Sequence, residues 1–538
     1  GNTGVGTGVF GALTTGDNNV AVGLNALDVN TTGSENVAVG MGALDTNTTG
    51  AGNISIGCGS MSANVSGNYN VAIGRCALDT SVSGSANVAI GDRALYTNTA
   101  SYNTSVGFFS LAANTTGASN VAVGTNVLSV NTSASNNTAV GKDSLKANTT
   151  GADSTAVGFE AMFTNTTGCR NTAFGKRALK LNTVGCDNVG IGLNSLCANT
   201  TGDFNTGIGF ASLQSNTTAD NNTGLGYYAL QANTTASNNT AVGCGAGAAN
   251  TTGVSNTAVG HAALNDNTTA SNNTAIGMNS LAVTTTGCQN TAVGAGAMDT
   301  NSTGDNNVAV GFSALDANTT ADKNTAVGHS ALKANTTGTR NTAVGFCSLT
   351  TNTTGDDNTA FGTESLRANT TGANNVAVGK NALVANTTGD ENTAVGCNTL
   401  GANTTADNNT AIGAFALDTN TEGHSNVAVG RSALTANTTA DNNTAVGFDS
   451  MKANTTGSEN TALGISSSYS NTTGSCNVAL GRNALYTTTT GGQNIAIGTA
   501  ALYSNTTAIN NTAVGSNALL SNTTGTDNVA LGFCALNA

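Results

Sequence analysis

A 17-residue repeat runs through the whole 538-residue sequence and constrains its fold more than any other feature. Residues 307–323 are one full unit, which opens Asn-Val-Ala-Val-Gly. The glycine that closes this opening recurs 32 times, and its spacing equals the repeat length at every step except the shorter one from Gly91 to Gly107. One residue is therefore missing near 99–103. A period this regular predicts one continuous repeat domain over residues 1–538, with no internal linker.

Composition narrows the remaining possibilities. Proline and tryptophan are absent, and charged residues make up only 8% of the chain. Low charge together with an aromatic content of 4% can suggest disorder, but a disordered chain would not keep valine and leucine in a fixed phase. The net charge of −13 argues against a nucleic-acid partner or an anionic membrane surface. The longest apolar runs are too short to cross a membrane, so no membrane insertion is expected.

No signal peptide is visible in the sequence, which starts and stops inside a repeat. We interpret the chain as a mature fragment or as part of something longer.

The order of residues within the unit predicts its local structure. We number the unit from its first Asn, so that the marker glycine is position 5. Positions 1–4 read Asn, Thr/Val, Ala, Val/Ile, which is typical of a short strand, and positions 12–15 read as a turn. No apolar stripe of helical period is present. We predict an all-β fold, a parallel β-solenoid of about 32 coils. Each coil would be one repeat with two short strands, and the coils would stack about 4.8 Å apart into one elongated rod of roughly 150 Å.

Strand alternation predicts which side chains point into each coil. We expect Val/Ile at position 4 to face inward together with the leucine at position 9. Alanine at position 3 would then face outward, yet only serine or glycine replaces it, which suggests close packing against another chain. The alternative is that position 3 lies in a tight interior. Positions 6, 7, 10, 11, 16 and 17 vary and hold most charges, so we expect them to face solvent.

Asparagine recurs at positions 1 and 12, where stacked coils would align it into hydrogen-bonded ladders along the rod. The predicted ladder residues include Asn307, Asn318, Asn324, Asn335, Asn341 and Asn352. The alternative is glycosylation, because Asn-Thr-Thr at position 12 is an acceptor sequence. Its candidate sites include Asn318, Asn335 and Asn352.

The repeated Asn-(Thr/Val)-Ala-(Val/Ile)-Gly motif, followed by a small residue and Leu, resembles the head repeats of trimeric autotransporter adhesins of the YadA type. Related repeats occur in phage tail-fibre and bacterial surface-fibre proteins. This resemblance implies a left-handed β-roll, three chains side by side, and an adhesive or spacer function outside the cell. The unit here is longer than the usual head repeat, and no neck, heptad stalk or C-terminal barrel is visible.

Few residues suggest chemistry. Cys169 and Cys186 are one unit apart and should stack, so a disulfide between them is a candidate. Three pairs of acids also stack, and such pairs could bind a cation or act as glycosidase carboxylates, although aspartate is common in solvated turns. These pairs are Asp203/Asp220, Asp305/Asp322 and Asp390/Asp407. The three histidines are far apart, and no CxxC motif is present. We therefore expect no catalytic site, no metal site and no cofactor.

The favoured function is a structural fibre or adhesin shaft that is extracellular, on a cell surface or on a virion. A thin rod that buries about one Val and one Leu per coil looks marginal alone, so self-association into a trimer or filament is expected. A host-surface glycan or protein is a further candidate partner. Three alternatives stay open: a filament subunit that polymerises head to tail, an ice-binding solenoid that presents threonines, and a tailspike-like polysaccharide depolymerase.

Overall fold

The computed structural model describes residues 1–537, which form two compact units, Gly1–Ala270 and the residues from Ser271 onward. Each unit is a parallel β-solenoid in which one repeat makes one coil. None of the described residues lies in a helix. The prediction of an all-β parallel solenoid, with one coil for each repeat, is therefore confirmed.

The first unit contains sixteen strands, one per coil, and each strand pairs in parallel with the strands of neighbouring coils. The strands are β1 Thr3–Val5, β2 Val20–Val22, β3 Val37–Val39, β4 Ile54–Ile56, β5 Val71–Ile73, β6 Val88–Ile90, β7 Thr104–Val106, β8 Val121–Val123, β9 Thr138–Val140, β10 Thr155–Val157, β11 Thr172–Phe174, β12 Val189–Ile191, β13 Thr206–Ile208, β14 Thr223–Leu225, β15 Thr240–Val242 and β16 Thr257–Val259.

The second unit repeats the same arrangement with sixteen further strands. They are β17 Thr274–Ile276, β18 Thr291–Val293, β19 Val308–Val310, β20 Thr325–Val327, β21 Thr342–Val344, β22 Thr359–Phe361, β23 Val376–Val378, β24 Thr393–Val395, β25 Thr410–Ile412, β26 Val427–Val429, β27 Thr444–Val446, β28 Thr461–Leu463, β29 Val478–Leu480, β30 Ile495–Ile497, β31 Thr512–Val514 and β32 Val529–Leu531.

The pairing register follows the sequence period. Ala309 of β19 lies opposite Ala326 of β20, which is one unit later. Between β6 and β7, Val88 pairs with Thr104, so the partners there are closer along the chain than in the other coils. The turn that lacks one residue therefore absorbs the deletion, and the later coils keep their register.

Only positions 2–4 of each coil are a strand, so the prediction of two strands per coil was wrong. The rest of the coil turns, and its backbone still hydrogen-bonds to adjacent coils. Leu27, for example, donates its amide hydrogen to the carbonyl of Ala43 at an N···O distance of 3.1 Å. A coil this short has to reverse direction within a small perimeter. Most of it therefore turns and does not extend.

The assignment of inward and outward faces was also wrong, and the alternative of a tight interior at position 3 is correct. Ala309 is fully buried, while Val308 and Val310 on either side of it face outward. The interior is narrow because leucine at position 9 already fills it: a Cβ built on Gly190 at position 3 would lie 3.2 Å from Cγ of Leu179. A small residue is therefore required inside the coil at position 3, and the valine faces outward.

The turns are built from left-handed residues. Positions 7, 9 and 17 have positive φ in coil after coil, as at Asn25, Leu27 and Glu35, whose φ values are 58°, 52° and 60°. Leucine in this region costs on the order of 1–2 kcal/mol, which its burial at position 9 offsets. Valine, isoleucine and threonine are especially disfavoured there, and none occurs at these three positions although they are common elsewhere.

Candidate functional site

The position-12 asparagines form a buried amide ladder. Nδ2 of Asn335 donates to Oδ1 of Asn318 at 3.1 Å, and Nδ2 of Asn352 donates to Oδ1 of Asn335 at 2.9 Å. The second amide hydrogen of Asn335 goes to the backbone carbonyl of Gly338, at 2.8 Å. Each asparagine thus joins one coil to the preceding coil and also closes the turn of its own coil.

The position-1 asparagines form a second ladder of a different kind. Oδ1 of Asn307 accepts the backbone N–H of Asn324, and Oδ1 of Asn324 accepts that of Asn341, both at 2.9 Å. The Nδ2 of Asn324 donates to the carbonyl of Gly338 at 2.9 Å, the same oxygen that Asn335 uses. Two asparagines of one coil therefore converge on the position-15 carbonyl.

The same geometry decides the glycosylation alternative on physical grounds. Asn318, Asn335 and Asn352 are fully buried, and their amide nitrogens donate inside the coil. A glycan needs an exposed amide and replaces one of its hydrogens. The folded chain has no room for a glycan at these three residues, so we discard this interpretation of them.

The position-12 ladder breaks where the sequence departs from asparagine. Ser81 replaces asparagine in the fifth coil, and neither its Oγ nor Oδ1 of Asn64 in the preceding coil has a hydrogen-bond partner among residues 1–537. Oδ1 of Asn471 is likewise without a partner in the described chain, and the next residue in that ladder is Thr488. Asparagine at position 12 is therefore needed to donate a hydrogen bond to the buried Oδ1 of the asparagine in the preceding coil.

Cys169 and Cys186 lie side by side on adjacent coils, as expected from their spacing. Their sulfur atoms are 2.7 Å apart, and both cysteines are free thiols. The hydrogen bond with Cys186, together with partial burial, raises the pKa of Cys169 to about 11. The disulfide stays a prediction, but oxidation would need only a small shift of the two side chains to reach the S–S bond length of about 2.04 Å.

The stacked aspartates hold the backbone at position 16. Oδ1 of Asp220 accepts the backbone N–H of Asp203 at 2.7 Å, and Asp322 does the same for Asp305. Serine and cysteine accept this N–H in other coils. The observed contacts of these carboxylates are thus structural. Among residues 1–537 no three His, Cys, Asp or Glu side chains lie close enough together to hold a metal ion.

The described surface has no pocket in which a small substrate could be enclosed. No helix that could cross a membrane occurs in residues 1–537. Glu160 and Arg177 of adjacent coils form an ion pair at the surface, with Oε2 and Nε 3.1 Å apart. None of these features provides an enclosed reactive site.

The most distinctive surface is the outer side of the strands, which we call the strand face: the side chains at positions 2 and 4 of every coil. Position 4 is Val, Ile, Leu or Phe in all 32 coils and is at least partly exposed in each, for example 37% at Val310 and 55% at Phe174. Position 2 is threonine in 19 of the coils and Val or Ile in the rest. Sequence reasoning missed this face because it placed valine inside the coil.

A preference for strands does not explain the composition of position 4. Threonine is branched like valine and fits strands equally well, and it is common at position 2 on the same face. It never occurs at position 4. All 32 copies of this partly exposed position therefore hold a large apolar side chain, and strand preference alone does not account for it.

A comparison with the models of known protein families and with curated proteins finds no match for this sequence.

Proposed function

We propose that this protein is a structural shaft that works as a self-associated bundle of copies packed through the strand face. One observation carries the proposal: position 4 is always apolar, although it is at least partly exposed in every coil. The repeat determines the kind of partner. The strand face presents one apolar position-4 side chain about every 4.8 Å along the stack. A partner can bury every one of these side chains only if it has the same spacing. A second copy of this chain has that spacing.

The size of the face supports a stable assembly. The sixteen coils of one unit make the strand face about 75 Å long. With its side chains it is about 10 Å wide, which gives an area of about 750 Å². Specific interfaces bury about 800 Å² on each partner. One unit therefore offers nearly enough surface for a specific contact.

The remaining parts of the proposal rest on the resemblance described above. It implies three copies, an extracellular location on a cell surface or a virion, and a role as a spacer or attachment filament. The paired, buried interior of each unit agrees with a load-bearing role, and nothing in the fold requires catalysis. We therefore propose a structural protein and not an enzyme.

Substitution on the strand face tests self-association. Sedimentation velocity of the intact chain should show an oligomer. Val310, Val327 and Val344 changed together to Asp should give a monomer with an unchanged circular dichroism spectrum. The matched control changes Thr320, Thr337 and Thr354 to Asp, which adds the same charge at exposed position 14 of the same coils and should leave the oligomer intact. A wild-type chain that stays monomeric at tens of micromolar would refute the proposal.

A second candidate function is favoured by one observation. Threonine at position 14 is exposed in coil after coil, as at Thr320, Thr337 and Thr354, and so forms a regular rank of hydroxyl and methyl groups. Such a rank could order water at an ice surface. A thermal-hysteresis assay tests this candidate, and the absence of hysteresis at millimolar protein would eliminate it.

A further inference from the structure

One small region of the surface has a charge opposite to that of the chain. Three consecutive coils carry a cluster at positions 6, 7 and 10, which we call the basic patch. Its nine residues are Lys142, Asp143, Lys146, Phe159, Glu160, Phe163, Lys176, Arg177 and Lys180. Five cations and two carboxylates give it a net charge of +3, whereas the whole chain has −13. The stacked coils bring these residues together.

The cations of the patch are arranged around aromatic rings. Nζ of Lys146 and Nζ of Lys180 lie 5.4 and 5.9 Å from the ring centre of Phe163, one from the preceding coil and one from the following coil. Lys176 approaches Phe159 in the same way, at 5.9 Å. These contacts hold the ammonium groups at fixed spacings, so less side-chain entropy is lost when an anion binds.

The carboxylates of the patch do not neutralise all of its cations. Glu160 lies 2.9 Å from Nζ of Lys180 and 3.1 Å from Nε of Arg177, and Asp143 lies 3.2 Å from Nζ of Lys146. Lys176 has no carboxylate within 4 Å among residues 1–537. Lys142 comes only within 4.0 Å of Asp143, and its side chain is 61% exposed. The patch therefore retains cations that are free to meet an external anion.

We propose that the basic patch binds an anionic polysaccharide, one that carries sulfate or carboxylate groups. Lys142 and Lys176 are two coils apart, which places their backbones about 10 Å apart along the stack. This spacing suits a polymer with one charge every sugar or two. Phe159, which is 38% exposed, offers an apolar surface beside the cations. The proposal does not depend on the shaft function and would stand if that function were disproved.

Nucleic acid fits the patch less well. Lys146 of the preceding coil and Lys180 of the following coil both lie over the ring of Phe163, and a base that stacks on this ring would have to displace them. Duplex DNA carries a charge about every 1.7 Å, and most of these charges would extend beyond three coils onto acidic surface. A sparsely charged polymer meets less of that repulsion.

Binding measurements on the intact chain test the proposal. Dextran sulfate and polygalacturonate are the probes, neutral dextran is the blank, and single-stranded oligothymidylate is the competing class. The test variant changes Lys142, Lys176 and Lys180 to Gln, which removes both cations that lack a close carboxylate. The control variant changes Lys333, Lys380 and Lys452 to Gln, which removes three charges from the same positions, 6 and 10, in other coils.

We expect both acidic polysaccharides to bind at 50 mM salt and to bind about tenfold more weakly at 200 mM, because few charges are involved. The test variant should weaken binding at least tenfold, and the control variant less than twofold. Tighter binding of oligothymidylate would overturn the polysaccharide assignment. Absence of binding, or equal loss in both variants, would overturn the site.

Discussion

The marker glycine is the residue that tolerates least change. Gly311 has a φ of 139°, and a Cβ built on it would lie close against the carbonyl oxygen of Gly328 in the next coil. Both the backbone conformation and the neighbouring backbone therefore exclude a side chain. Position 15 is equally crowded, but its φ is not in the left-handed region. Alanine occupies it in several coils, as at Ala321.

This difference predicts opposite outcomes for two similar substitutions. Gly311→Ala should destabilise the chain by about 2 kcal/mol or more, because it combines positive φ with a backbone clash. Gly338→Ala at position 15 should cost much less, since natural alanines show that the neighbours can adjust. Thermal unfolding of both variants checks this, and equal losses would contradict it.

Repair of the asparagine ladder should be stabilising. Ser81→Asn would provide Nδ2 for the unpaired Oδ1 of Asn64 and fill the gap at position 12. Satisfying buried polar atoms should raise the free energy of unfolding by about 1–3 kcal/mol. Chemical denaturation measures the change, and Ser83→Asn at exposed position 14 of the same coil is the control. A gain of equal size in the control would show that the ladder is not the cause.

At the scale of the coil, stacked side chains become pairs whose charges add or cancel. Asp299 and Asp316 are neighbours at position 10. Burial, followed by the charge of Asp316, raises the pKa of Asp299. Asp357 is the opposite case, because its hydrogen bonds to Arg340 lower its pKa. One fold thus contains acid groups that oppose folding when ionised and others that support it.

The two aspartates should respond to pH with opposite sign. A raised pKa means that ionised Asp299 costs stability, so Asp299→Asn should stabilise the chain at pH 7, and its advantage should disappear as pH falls through that raised pKa. Asp357→Asn should destabilise at pH 7, and its deficit should shrink only below the ordinary value of 3.8. Melting temperatures between pH 2.5 and 7 check both signs, and parallel profiles would contradict the assignment.

A cross-coil disulfide is the other prediction for adjacent coils. Treatment with oxidised glutathione should join Cys169 to Cys186 and raise stability by about 3 kcal/mol, the value for a closed loop of this length. A non-reducing peptide map and a thermal melt with and without reductant would show it. Cys58 and Cys76 also lie on adjacent coils, but at positions 6 and 7, so they serve as the control and should stay reduced. Full alkylation of Cys169 after oxidation would refute the prediction.

The 17-residue period allowed the coil, its parallel pairing and its register to be predicted from the sequence. When each repeat forms one coil, equivalent residues of successive repeats stack directly on one another. The inner face could not be predicted from hydrophobicity, which favours Val310 over Ala309. The space inside depends on how far leucine at position 9 reaches, and that depends on left-handed turns. The absence of β-branched residues at positions 7, 9 and 17 was the signal that could have revealed those turns.

The candidate functional site was also only partly predictable from the sequence. The alignment of Asn318 with Asn335 was readable from spacing, but the convergence of two asparagines on the Gly338 carbonyl depends on turn geometry. The strand face was not predicted because the sequence interpretation exchanged the inner and outer faces of the coil and placed position 4 inside. The basic patch was hidden by the net charge of −13, since a sum over the chain says nothing about three adjacent coils.

At the scale of the whole chain, length should be adjustable in whole coils only. Deletion of residues 324–340 removes one complete coil and would pair Val308 with Thr342, so the chain should stay folded with a similar melting temperature. Deletion of residues 324–331 removes half a coil and places turn residues where the strand should be. It should cause local unfolding that limited proteolysis detects near the deletion. Equal protection of both variants would show that the period does not determine the fold.

Each strand bonds only to its immediate neighbours, and this has a mechanical consequence. Tension applied between the ends of a unit would fall on one terminal coil at a time, because among the described strands contacts join adjacent coils only. Every coil that detaches would release one repeat of slack, about 58 Å of extended chain. Such a molecule would lengthen in small, equal steps under a tensile force. It could dissipate a transient load by detaching a few coils while the rest of the unit stays folded.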